Sequence, residues 1–195
     1  VLSGGSIVRF PAGSEIPELP GVPLKDCGAP SYIAADSRGK LYVVDSSKNT
    51  VIKYDSGIKK EGEIGAGKLT VPKRVYAGPD DRIYIIDVPT PDRIIIKIFS
   101  SKGELERQFG VLKGYKASNY ESLAITPKGE IYINNMRANT IMCYNSKGGF
   151  LGSFSATKDG SAKVTYPAGL AGGDGGFFVL PVAEILVLKN IEYSK

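Results

Sequence analysis

The side chains in this sequence best suited to chemistry are oxygen donors at recurring places along the chain. Asp45, Asp87 and Asn135 each end a short apolar stretch, and Asn134 and Asn139 lie close to the last of them. Carboxylate and amide oxygens are the ligands that hard divalent cations take. The chain has no histidine, which excludes Ser-His-Asp and Cys-His nucleophilic sites and zinc bound by imidazole. The enzymatic centre that these residues suggest is therefore a cation held by oxygen atoms.

The regular recurrence of these residues favours a structural role instead. Asp45, Asp87 and Asn135 occupy one place in successive units of the chain, and Asn49 and Asn139 also correspond. Asp and Asn side chains often cap turns by accepting hydrogen bonds from backbone N–H groups. We therefore expect each of the three to cap the turn that follows it, and we predict no metal ligands and no cofactor. The expected turns span 45–50, 87–93 and 135–140.

The elements that position these residues repeat along the chain. Apolar stretches at 6–10, 50–54, 95–99, 140–144 and 184–188 begin 44, 45, 45 and 44 residues apart. A second set, at 41–45, 83–87, 131–135 and 177–181, precedes the last four, and it is rich in β-branched and aromatic residues, as strands are. Small apolar stretches at 32–36, 74–78, 122–126 and 169–173 come before those, and polar stretches at 59–65, 103–110 and 148–155 follow. Each unit therefore reads as four strands.

Turn residues support this division and indicate the fold class. "DSRGK", "GPDDR", "TPKGE" and "GDGG" join the first strand of each unit to the second, with Gly, Pro or Asp where a tight antiparallel turn needs them. Four antiparallel strands repeated every ~45 residues are typical of a β-propeller blade. We predict an all-β chain with no helix longer than about two turns. Tyr84 and Ile133 should be buried, and Lys59, Lys60, Glu104 and Glu106 should be exposed on fourth strands.

The units resemble the NHL repeat, a β-propeller family. The pattern appears as "PSYIAADSRGKLYVVDSSKNTVIKYDSG" (30–57), "PKRVYAGPDDRIYIIDVPTPDRIIIKIFSSKGELERQFG" (72–110) and "YESLAITPKGEIYINNMRANTIMCYNSKGGFLGSF" (120–154), and more loosely at 167–190. The resemblance implies one propeller domain over 1–195, with about four blades of a five- or six-bladed ring. Its parts are a half blade at 1–20 and blades at about 30–65, 72–110, 120–155 and 167–195. We expect this ring to be incomplete within the sequence.

The same resemblance implies a binding face, formed by the loops before first strands and the turns between second and third strands. Several basic and aromatic residues fall there, and we predict that they bind the partner. They are Lys68, Lys73, Arg74, Arg93, Lys113, Tyr115, Lys116, Tyr120 and Arg137. A net charge of +5 and a pI near 9.1 give a weak preference for an acidic partner.

These features suggest three functions. The first is a non-enzymatic scaffold that presents the loop-built face to a macromolecule, with a protein as the expected partner. One alternative is a metal-dependent, lactonase-like hydrolase at the propeller axis, and the other is single-stranded RNA binding, for which Tyr115 and Tyr120 offer stacking platforms.

Three further properties follow from composition. No apolar run is long enough to span a membrane. The two cysteines, Cys27 and Cys143, lie at different points of the repeat, so we expect two free thiols. No targeting segment marks the compartment, and an extracytoplasmic one is slightly favoured.

Overall fold

The computed structural model describes residues 1–10, 13, 18–111, 122–135, 138–155, 169–173, 176–180 and 186–188. Every element in that part of the chain is a β-strand, as the sequence predicted, and the strands form five antiparallel sheets. In the same residues there is no helix long and apolar enough to cross a membrane. The prediction of an all-β chain is therefore confirmed.

Three of the sheets have four strands in sequential order. Sheet I contains β4 (Pro30–Ala35), β5 (Leu41–Asp45), β6 (Thr50–Tyr54) and β7 (Lys60–Ile64). Sheet II contains β8 (Pro72–Ala77), β9 (Ile83–Thr90), β10 (Arg93–Phe99) and β11 (Leu105–Gly110). Sheet III contains β12 (Leu123–Ile125), β13 (Ile131–Asn135), β14 (Thr140–Tyr144) and β15 (Phe150–Phe154). All three fall within the predicted units.

The first and last sheets have three strands each. The first contains β1 (Leu2–Ser3), β2 (Ser6–Arg9) and β3 (Glu18–Pro23), and the last contains β16 (Gly169–Gly173), β17 (Gly176–Leu180) and β18 (Leu186–Leu188). The predicted half blade at 1–20 therefore differs from the structure, because β1 adds a third strand and β3 reaches Pro23. The assignment of 1–195 to one domain stays a prediction.

The packing divides the chain into two compact parts. The first consists of Val1–Ala77, Asp81–Pro89 and Ile95–Glu106, and the second of Gly78–Asp80, Thr90–Ile94 and Arg107–Lys195. In the first part, Tyr42 and Val44 of β5 belong to one buried apolar cluster, and Val43 belongs to another. Because successive side chains of a strand point to opposite faces, both faces of β5 are buried. In the second part, a buried cluster around sheet III includes Tyr132, Ile141 and Phe154.

The exposure of individual side chains largely agrees with the sequence analysis. Tyr84 and Ile133 are buried, with 2% and 0% of their surface exposed. Lys59, Glu104 and Glu106 are exposed, as predicted. Lys60 is half-buried instead. Its Nζ lies 2.8 Å from Oε1 of Glu63, which is on the same strand. Cys27 and Cys143 are both buried, and neither forms a disulfide within the described residues.

Candidate functional site

Asp45 ends β5 and is completely buried. Its Oδ2 accepts a hydrogen bond from Gly28 N at 2.9 Å, and its Oδ1 accepts from Ala29 N at 3.2 Å. Ser47 also donates to Oδ1, from its backbone N at 3.0 Å and its Oγ at 2.6 Å. The carboxylate therefore caps the following turn, as predicted, and it also holds the two amides that precede β4, which the prediction missed.

These hydrogen bonds make Asp45 sensitive to acid. Burial raises the pKa of its carboxyl, but hydrogen bonds from the Ser47 hydroxyl and from the Gly28, Ala29 and Ser47 amides outweigh burial and lower the pKa from 3.8 to about 2. A folded-state pKa below the unfolded value stabilises the fold above about pH 4, and this stabilisation is lost as pH falls through 2. We expect Asp45 to contribute about 2 kcal/mol of this acid-dependent stability.

The measurement is urea unfolding of the wild type and of Asp45→Asn between pH 5 and pH 2. The free energy of unfolding should fall less steeply with acid in the variant, because an amide does not titrate. Equal slopes for the two proteins would contradict the assignment.

Asp87 takes the corresponding place at the end of the paired part of β9, and it is also completely buried. Its Oδ1 accepts from Val71 N at 2.7 Å, and Thr70 N donates to both of its oxygens, at 3.1 and 3.2 Å. Lys97 Nζ lies 2.7 Å from Oδ2. The sequence predicted that donors within 87–93 would bind Asp87, but none of the described hydrogen bonds to its carboxylate comes from that turn. Pro89 takes the position that corresponds to Ser47, and proline has neither an N–H group nor a hydroxyl.

The asparagines of sheet III likewise bind backbone amides. Asn134 Oδ1 accepts from Ser122 N at 2.7 Å, and Asn135 Oδ1 accepts from Ala138 N at 3.1 Å. Asn139 has φ 50° and Asn49 has φ 51°, so both adopt the left-handed turn conformation that asparagine tolerates. The repeated asparagines are thus accounted for by turn geometry.

These contacts test whether the predicted oxygen donors fit a metal ion. The oxygens of Asp45 and Asp87 face backbone amides and Lys97, and Asn134 faces Ser122. Among the residues that the structure describes, no group of three or more His, Cys, Asp or Glu side chains is arranged to hold a metal. The described residues therefore do not fit the metal centre that the lactonase-like alternative assumed.

A different cluster lies on the first strands of sheets I and II, which pack beside each other. The guanidinium Cζ of Arg74 on β8 lies 4.7 Å above the ring centroid of Tyr32 on β4. The rings of Tyr32 and Tyr76 are 5.7 Å apart and tilted by 50°. All three side chains are half-buried. We refer to Tyr32, Arg74 and Tyr76 as the Tyr–Arg cluster.

The other predicted binding residues are distributed differently. Lys68, Lys73 and Arg93 are exposed, and the described contacts do not bring them into the Tyr–Arg cluster. The remaining predicted binding residues lie outside the described residues. They are Lys113, Tyr115, Lys116, Tyr120 and Arg137. The binding face and the RNA-binding alternative therefore stay predictions.

Sequence reasoning missed Tyr32 and Tyr76, although a usable signal was present. Pro30 and Pro72 pair with Asp45 and Asp87, so Tyr32 and Arg74 share one position in adjacent repeat units. Aligning the first strands column by column would have placed the aromatic ring beside the guanidinium. The prediction instead treated these strands as small and apolar.

A concave region of about 580 Å³ lies along β7 and includes part of the turn before β11. Four of the seven charged side chains that line it form two ion pairs, Lys53 with Glu61 at 3.3 Å and Lys60 with Glu63 at 2.8 Å. The other three are Asp55, Lys59 and Lys102.

Comparison with known proteins identifies the fold. No family model and no curated protein matches the sequence. Virginiamycin B lyase from Staphylococcus aureus, solved with quinupristin, matches 91% of this chain and 56% of its own at a TM-score of 0.64 and 16% identity. A gluconolactonase from Xanthomonas campestris matches 80% of this chain and 57% of its own at 0.56 and 16% identity. Hydrazine synthase from Kuenenia stuttgartiensis matches 89% of this chain and 46% of its own at 0.58 and 14% identity.

The chain therefore has a β-propeller-type fold, as predicted, and sheets I to III are blades of that fold. It spans about half the length of these three similar structures. The hypothesis of a non-enzymatic scaffold is contradicted, because the named structures are enzymes, including a lyase and a gluconolactonase.

Proposed function

We propose that this chain is part of a lactonase-like enzyme, built from NHL-type repeats, in which the Tyr–Arg cluster binds a cyclic ester. The observation that carries the proposal is the half-buried guanidinium of Arg74, stacked 4.7 Å above the ring of Tyr32. Likeness in fold to a gluconolactonase and a lyase supports an enzymatic role. Because the described residues do not fit a metal centre, no step of the proposal passes through a metal ion.

The reaction is the addition of water across a lactone. The oxygen of water bonds to the acyl carbon, the ring C–O bond breaks, and the ring oxygen leaves as a hydroxyl group, giving a hydroxy acid. Negative charge develops on the carbonyl oxygen before the bond breaks. A guanidinium that donates to this oxygen stabilises the transition state more than the ground state, which lowers the barrier.

Arg74 suits this role for geometric reasons. A guanidinium presents its N–H donors in a planar fork, and the fork matches both a carbonyl oxygen that becomes charged and the carboxylate of the product. Stacking on Tyr32 restricts the plane of the fork, so less side-chain freedom is lost when the substrate binds. The rings of Tyr32 and Tyr76 supply an apolar surface against which a lactone ring can pack.

The test is an assay of the purified protein with five- and six-membered lactones, including gluconolactone, in which released acid is measured with a pH indicator. Arg74→Ala should lower kcat/KM by about 10- to 100-fold, as expected for the loss of a charge-assisted hydrogen bond. Arg74→Lys should retain the charge but lose the fork, and its activity should be intermediate.

Arg38→Ala is the matched control. The Arg38 side chain is 52% exposed, pairs with Asp81 at 3.3 Å and lies in the turn after β4. Its removal should leave kcat/KM unchanged. Wild-type protein that opens none of these lactones faster than buffer, or Arg74→Ala with wild-type kcat/KM, would overturn the proposal.

A further inference from the structure

Lys97 is a buried lysine at a position that is apolar in the neighbouring blades. Only 6% of its surface is exposed. The corresponding residue is Ile52 in sheet I and Met142 in sheet III, with 0% and 3% exposed. A charged side chain loses hydration energy when it is buried, so this lysine needs strong partners. Its partners indicate what it does.

One partner is Asp87, and the need for it follows from the local sequence. In sheet I, Ser47 supplies two of the four donors that satisfy Asp45. In sheet II, Pro89 stands at the same place and offers no donor. The ammonium of Lys97, 2.7 Å from Asp87 Oδ2, takes over that function.

Lys97 has a second partner, which is not needed to neutralise the charge of Asp87. Lys97 Nζ also donates to the carbonyl oxygen of Lys68. Asp87 holds the amides of Thr70 and Val71, and Val88 N donates to Val71 O at 3.0 Å. The pair therefore fastens the whole segment 68–71 to β9 and β10. A serine in place of Pro89 would satisfy Asp87 but would leave the Lys68 carbonyl without this link.

We infer that Lys97 is a positioning residue, which fixes segment 68–71 and thereby the start of β8 that carries Arg74. Arg74 is three residues beyond Val71, and only Pro72 and Lys73 lie between them. This inference rests on the proposed function insofar as it assigns Arg74 to substrate binding. The fixing of the segment itself stands on the contacts of Asp87 and Lys97 alone.

The experiment transfers the arrangement of sheet I into sheet II. The double variant Pro89→Ser/Lys97→Ile provides Asp87 with the donors that Asp45 has and removes the link to Lys68. Its melting temperature should be higher than that of Lys97→Ile alone. Hydrogen exchange of the amides of 68–71, measured without substrate, should nevertheless be at least about tenfold faster than in the wild type. With a lactone that the wild type opens, KM should rise by about tenfold, with a smaller change in kcat.

Lys53→Ile is the matched control. Lys53 lies on β6, donates to the backbone carbonyl of Ser101 at 3.1 Å and has no described contact with 68–71. It should leave exchange in that segment unchanged. If Pro89→Ser/Lys97→Ile does not fold, Lys97→Met, which copies Met142, is measured in its place.

The possible results separate the two ideas. Wild-type exchange rates at 68–71 in the variant would overturn the positioning role, whatever its activity. Faster hydrogen exchange at 68–71 with an unchanged KM would show that the position of this segment does not affect substrate binding by Arg74, and would overturn that part of the inference. Absence of lactone opening by the wild type would overturn the proposed function and leave the exchange result to decide whether Lys97 fixes the segment.

Discussion

Replacing Asp87 with alanine is expected to destabilise the protein by about 3 to 5 kcal/mol, because it leaves a buried charge without its counter-ion. Lys97 would keep only the carbonyl of Lys68 as its described partner, with 8% of its side chain exposed. The amides of Thr70 and Val71 would lose their acceptor, and each unpaired buried amide costs about 1 to 3 kcal/mol. Urea unfolding at neutral pH measures the loss.

Two further variants test this explanation. Glu104→Ala removes an exposed carboxylate and should change stability by no more than about 0.5 kcal/mol. Asp87→Ala/Lys97→Ile should be more stable than Asp87→Ala alone, because the second change removes the unpaired charge. A loss below about 1 kcal/mol for Asp87→Ala, or additive losses in the double variant, would show that the pair is not coupled as the contacts indicate.

The strands of sheets I and III could be predicted closely because their apolar residues recur with the period of the repeat. The predicted stretches 41–45, 50–54 and 131–135 coincide with β5, β6 and β13. Short elements were not predictable in this way. β1 has two residues, Leu2 and Ser3, which is too few for any periodic signal.

The hairpin of sheet II was predicted too short for a different reason. β9 continues to Thr90 and β10 begins at Arg93, although "DVPTPDR" has the composition of a loop. The pairing of β9 with β8 ends at Pro72 and Asp87, so Pro89 lies outside it. Beyond that residue, a missing N–H group interrupts no hydrogen bond between the two strands. Strand pairing, which the local sequence does not reveal, decided the outcome.

The candidate site was predictable only in part. Charge and loop position drew attention to Arg74, but also to Lys68 and Lys73, which are exposed and lie outside the Tyr–Arg cluster. Tyr32 lies 42 positions before Arg74, and the packing of β4 beside β8 brings them together. Lys97 was visible in the sequence as a charge in an apolar column of the repeat. Its partners depended on the missing donor at Pro89, which becomes evident only when two blades are compared.

Truncation of Tyr84 or Ile133 should destabilise the protein by about 3 to 5 and about 2 to 5 kcal/mol, respectively. Both side chains lie on second strands, β9 and β13, and almost none of their surface is exposed. Alanine at either position leaves a cavity, because the close-packed neighbouring side chains cannot move enough to fill it. Urea unfolding of Tyr84→Ala and Ile133→Ala measures the cost in each of the two compact parts, since Tyr84 belongs to the first and Ile133 to the second.

An exposed aromatic residue separates the effect of burial from the effect of lost size. Phe10 is 48% exposed, so Phe10→Ala should cost much less than Tyr84→Ala, although both remove an aromatic ring. If burial on both faces of the second strand stabilises each blade, the difference between these two variants should exceed about 2 kcal/mol. A loss below about half a kilocalorie at both Tyr84 and Ile133 would mean that the second strands do not form the packed centre of their blades. Asp87 on β9 and Asn135 at the end of β13, which accept hydrogen bonds from loop amides, would then not be held in place by packed strands.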